Sequence, residues 1–255
     1  MPIEPILANA MKIRAGLRGS QRAERWFSGS MAVLIPLTVF IGFAPTFYLA
    51  KWLDPPHPIP PMTPLVYLHG TVFTSWILLF IVQTALITGG RIDLHRRLGI
   101  LGAGLAALMV VVGTVTALHG VVRAAGPPGI DPPRFLAIPL FDLLVFTVLV
   151  VAGVRARRKP KTHKRLMLLA TIGILAAAIS RWPLAIMQNG PIAFFGVNDL
   201  YVLPLIGFDL LTMGRIHRAT VWGGLVILIS QPLRLAISGT DAWLSFAHWA
   251  VALVT

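Results

Sequence analysis

Three times along this 255-residue chain a long apolar run stops, a short basic turn carrying a histidine follows, and a new apolar run begins. The turns are Gly90-Arg91-Ile92-Asp93-Leu94-His95-Arg96-Arg97, Lys161-Thr162-His163-Lys164-Arg165 and Gly214-Arg215-Ile216-His217-Arg218. Apolar runs of about 20 residues cross a bilayer as helices, because lipid offers no partner to an exposed backbone amide. The pattern predicts an all-α, polytopic transmembrane helical bundle. Seven spans are expected at 30–50, 64–90, 98–119, 136–155, 166–187, 199–214 and 220–240. A short C-terminal helix at 241–255 is expected either as an interfacial segment or as an eighth span. Residues 1–29, with Lys12, Arg14, Arg18, Arg22 and Arg25, read as a cytoplasmic basic arm without a signal-peptide cleavage pattern, and 30–255 as the transmembrane domain.

Only 12% of residues are charged and the mean hydropathy is +0.79, whereas soluble domains carry about 25% charged residues. The formal charge of +13 does not point to nucleic acid, because the basic residues sit in turns between spans rather than on one face of a soluble fold. The arm and the three inter-span segments that carry the histidine turns, the second counted from Arg155, hold 5, 3, 7 and 2 of the 22 Lys and Arg residues, and the alternate loops hold only Lys51, Arg123 and Arg134. The positive-inside rule then places the N-terminus and all three turns on the cytoplasmic side of the membrane, against anionic lipids. With no cysteine, the chain supplies no disulfide, thiolate metal site or c-type haem attachment.

Depth along each span identifies candidate functional residues. At about 1.5 Å per residue, Asp142, Arg181 and Arg234 all stand about 20–22 Å above the basic ends of their spans. Ionisable residues at such depth are costly and face partners or a cavity. Asp142 can neutralise one arginine. The other is open to Asp209, which lies only about 8 Å up, or to a bound anion such as a substrate carboxylate, a lipid phosphate or a haem propionate; the alternative is that both arginines snorkel to the outer interface. His69 and His119 both fall about 31 Å up on neighbouring antiparallel helices. That register suits bis-histidine ligation of b-type haem iron, with propionates towards Arg181 and Arg234. Metal ligation by His57, His69, His119 and His248 is a related reading with no tight ligand spacing behind it.

His95, His163 and His217 each stand beside a cation at the start of a span, where an imidazole can cap free amides or meet lipid head groups. A converging ligand site is the alternative. Gln83, Ser180 and Gln231 read as interhelical hydrogen-bonding groups. No nucleophile, phosphate-loop or metalloprotease motif appears, so no reaction is assigned.

Leu68-His69-Gly70-Thr71, Asp93-Leu94-His95-Arg96-Arg97-Leu98-Gly99, His163-Lys164-Arg165-Leu166-Met167 and Ser230-Gln231-Pro232-Leu233-Arg234 together resemble a group of uncharacterised bacterial polytopic inner-membrane proteins. The likeness covers most of 30–250 and implies the fold without an activity. The His-Arg-x-Leu-Gly turn is also similar to transmembrane b-type cytochromes, which implies a haem. The expected functions are a haem-binding or redox-associated membrane protein, an accessory subunit packed against other subunits of a membrane complex, or a small-anion carrier.

Overall fold

The structure is a computed structural model that describes residues 4–55, 60–126 and 129–255, with backbone alone for 4–21, 188 and 189. His57 lies outside the described residues. Helix α1 (Glu4–Phe43) carries the basic arm and the first span as one rod and runs into a π-helical turn at Ala44–Tyr48. Pro45 sits in that turn and has no N–H to continue the α-helical ladder. Then follow α2 (Pro64–Thr88), α3 (Ile92–Val122), α4 (Pro132–Phe135), α5 (Ala137–Arg155), α6 (Pro160–Gly173), α7 (Ala176–Ile179), α8 (Pro191–Leu200), α9 (Leu203–Met213), α10 (Arg218–Ser238) and α11 (Asp241–Ala252). Among the described residues the regular structure is helical throughout.

Among the described residues, seven stretches are long and apolar enough to cross a membrane: Arg22–Tyr48, Pro64–Thr88, Ile92–Val122, Pro132–Arg155, Pro160–Ile179, Pro191–Met213 and Arg218–Ser238. All seven expected spans are present, and two are displaced. The fifth starts at Pro160 rather than 166 and ends before Arg181, ahead of Pro183, whose ring disfavours helical backbone at Trp182. The sixth starts at Pro191, a favoured first helical residue, and is interrupted at Tyr201–Val202. At 12 residues, α11 reaches only about 18 Å, short of the roughly 30 Å hydrocarbon core. It lies instead on the far ends of α3 and α4, where Trp243 Nε1 donates to the Pro133 carbonyl at 2.9 Å and Ala247 and Ala250 pack with Leu118 and Leu136.

Helix α5 is the hub, packed against α3, α6 and α10, while α2 and α3 form a close hairpin. Phe146 and Leu149 of α5 meet Leu169 and Ile172 of α6 in a fully buried core. Trp76 closes it from α2, edge-on to Phe146 and donating to Thr171 Oγ1 at 3.2 Å. Two of the histidine turns are opened by glycines at positive φ, Gly90 at 73° and Gly214 at 65°, the left-handed conformation that stops a helix cheaply. All three histidine turns consequently share one end of the bundle, called here the basic end.

Candidate functional site

Among the described residues two buried ion pairs tie the bundle together. Near the basic end, Arg165 of α6 donates through Nε to Asp209 Oδ1 at 2.8 Å and again through Nη2, while its Nη1 donates to the Lys161 carbonyl at 2.7 Å. The other Asp209 oxygen accepts the His217 N–H at 3.0 Å and the Thr220 hydroxyl at 2.6 Å. Asp209 is therefore not a partner for Arg181. It stands low in its span, as the rise per residue requires, and the cation at that height is Arg165, a residue that reads in sequence as one more solvated charge of a basic turn.

Higher in the bundle, Asp142 of α5 pairs with Arg234 of α10, as the shared depth leads one to expect. Arg234 also donates to the Ser230 carbonyl and hydroxyl and to the Ile138 carbonyl, and its guanidinium lies 5.0 Å from the centre of the Phe195 ring. Four of its five N–H donors are used within the bundle, and its charge is neutralised by Asp142. One turn away Gln231 donates to Asp199 at 2.7 Å, and the side-chain Oδ1 of Asn198 beside it is buried without a partner. Asp199 escapes a sequence reading because a polar Asn-Asp pair looks like the end of a loop.

Arg181 is different. It follows the fifth span in a turn, donates one hydrogen bond to the Ala177 carbonyl at 2.5 Å, lies 5.0 Å from the centre of the Phe43 ring, and makes no ion pair among the described residues. With the span starting at Pro160, the same rise puts Arg181 about 31 Å up, level with His69 rather than in a layer with Asp142. His69 stacks on Phe73 at 4.1 Å, and its Nδ1 is buried with no hydrogen-bond partner. Thr46, only 8% exposed on the π-helical turn, likewise has an unpartnered hydroxyl. Its neighbour Phe47 presses on Gly70, next to His69, so the two orphaned groups belong to one region. Arg181, His69 and Thr46 thus lie on adjoining segments at the far end, linked through Phe43, Phe47 and Phe73.

His119 sits at the height expected for a partner to His69, since Gly99, Gly102 and Gly113 of α3 lie against Gln83, Leu79 and Phe73 of α2 in antiparallel register. Six residues beyond Gly113, however, it lies roughly 120° round the helix from that contact stripe. No group of three or more His, Asp or Glu side chains suited to one metal ion occurs among the described residues.

At the basic end the capping role expected of the turn histidines is realised by His217, whose Nδ1 accepts the Ala219 N–H at 3.0 Å at the start of α10. Burial and the positive charges of Arg165, Arg215 and Lys161 hold the His217 pKa below its ordinary value, with Asp209 opposing them. His95 and His163 instead approach each other, ring centres 6.3 Å apart. Against known proteins the chain finds no match: no family model, no curated protein and no solved structure resembles it significantly.

Proposed function

We propose that this chain is a bacterial inner-membrane protein, with its basic end in the cytoplasm, that binds an anionic, amphipathic small molecule at its periplasmic end. The observation that carries this reading is the contrast among the arginines: Arg165 and Arg234 are neutralised by Asp209 and Asp142, while Arg181 has no carboxylate partner among the described residues and lies at the same end of the bundle as a histidine nitrogen and a threonine hydroxyl that are buried and unpartnered. A guanidinium offers a fork suited to carboxylate or phosphate, and the Phe43, Phe47 and Phe73 rings suit an apolar body. A b-type haem belongs to this ligand class through its propionates, with His69 as the available axial nitrogen.

A second reading, transport of the same anion, is favoured by the interruptions of the fifth and sixth spans at Ile174–Leu175 and Tyr201–Val202, since carriers build their sites at broken helices. The test of binding is thermal unfolding of purified protein in detergent with decanoate, decyl phosphate or decanol. Stabilisation by either anion but not by the alcohol, lost in Arg181→Gln, is expected. Equal response to all three, or an unchanged response in the variant, overturns the reading. A reduced-minus-oxidised spectrum of the same sample separates the haem from a colourless ligand, and uptake into proteoliposomes separates transport from binding.

A further inference from the structure

At the basic end, far from Arg181, we infer that His95, His163 and Gln83 form a binding site for a divalent transition-metal ion of the cobalt-to-zinc group. His95 lies in the first turn of α3 and His163 in the first turn of α6, and their rings meet at 6.3 Å with planes at 81°. Nδ1 of His163 is 2.8 Å from the Gly153 carbonyl oxygen. A carbonyl oxygen only accepts, so this nitrogen carries the proton and the neutral ring presents Nε2 as a free lone pair. A backbone carbonyl holding the far nitrogen in this way is the usual support of a metal-ligating imidazole.

The facing groups are unused. His95 Nδ1 and Gln83 Oε1 are both buried and without a hydrogen-bond partner, and Gln83 is tied to His95 by the bond from its Nε2 to the His95 carbonyl at 3.3 Å. Two orphaned polar atoms and one oriented imidazole thus gather where three separate stretches of chain meet. Two imidazoles sharing one ion through bonds of about 2.0–2.1 Å have ring centres roughly 5 to 6.5 Å apart, depending on the angle at the metal, so the observed spacing requires little rearrangement. Two imidazole nitrogens and an amide oxygen, with no carboxylate, select borderline d-block ions over magnesium or calcium. All three donors are neutral and Arg96 directly follows His95, so the ion binds at a site of positive field and its open positions fall to water or a small anion. The simplest rival occupant is a single water bridging Gln83 and His95.

The test is a Co2+ titration, with Zn2+ competition, of the tag-free, chelator-treated full chain in detergent. One saturable ion per chain with ligand-field bands is expected, and His95→Gln and His163→Gln are each expected to weaken it by about tenfold or more. His217→Asn and Arg181→Gln leave it unchanged, which separates this site from the proposed anion site. The His95 ring makes no hydrogen bond that its replacement would break, so His95→Gln keeps the test independent of folding. Absence of saturable binding, or equal affinity in His95→Gln, overturns the inference in favour of the water.

Discussion

Arg165 and Asp209 are fully buried and bonded to one another through two guanidinium nitrogens, and between them they fix three elements, α6, α9 and the start of α10. The pair converts a turn charge into a structural centre. Removing one partner leaves an uncompensated charge, a loss of about 3–5 kcal/mol. Asp209→Ala is expected to lower unfolding stability in detergent by that amount, and the double variant Arg165→Met, Asp209→Leu to recover most of it. A double variant no better than the single would show that the bonds to His217 and Thr220 carry the stability instead.

Histidine 217 makes the basic end sensitive to acid. Its Nδ1 must be unprotonated to accept the Ala219 N–H, and its pKa is held below the ordinary 6.5. The unfolded chain therefore binds a proton more readily than the folded one, and the cap's contribution is complete above about pH 6.5 and is lost as pH falls below it. Loss of such a cap costs about 1 kcal/mol. Melting temperature measured from pH 8 to pH 5 should fall less in His217→Asn, which caps without titrating, than in the parent chain.

The close approach of α1 to α7 depends on Gly42, since a Cβ there would collide with the Ala178 carbonyl. Gly42→Ala is expected to destabilise by about 1–3 kcal/mol. Gly104, with nothing within 4 Å, is the control, and its alanine variant should gain from helix propensity. Thermal aggregation of the two proteins in the same detergent distinguishes a steric contact from a general loss of flexibility.

How much of this was legible in the sequence follows from which forces are local. Apolar run length and basic turns are local, so the spans, the shared end of the histidines and the need of Asp142 for one arginine could be read from spacing, whereas the choice of Arg234 over Arg181 could not. The fifth span could be misplaced because Pro160 to Arg165 is a charged stretch that looks like loop and yet forms helical turns, its Arg165 neutralised by a residue 44 positions away. That non-local pairing moved the ruler by six residues and so moved Arg181 from the arginine layer to His69. The orphaned atoms of Thr46, Gln83 and His95 have no sequence signal, because a missing partner is a property of packing.

Orientation is open to a direct test because the chain has no cysteine. Single cysteines at two exposed positions, Lys161→Cys at the basic end and Asp131→Cys at the other, report the two sides. A membrane-impermeant maleimide is expected to label Asp131→Cys in whole spheroplasts and Lys161→Cys only in inverted vesicles. The reverse pattern would place the basic turns outside and overturn the positive-inside assignment.

Arg181 and Arg234 give the sharpest comparison between structure and binding. Arg234→Gln strands Asp142 in the bundle and is expected to cost about 3–5 kcal/mol. Arg181 surrenders only a carbonyl bond and its contact with Phe43, so Arg181→Gln should cost less than about 1 kcal/mol, near the worth of one ordinary hydrogen bond. Unfolding midpoints of the two variants without ligand measure this difference. A loss in Arg181→Gln as large as that in Arg234→Gln would make Arg181 a structural residue, because a guanidinium kept for a ligand contributes little until the ligand arrives.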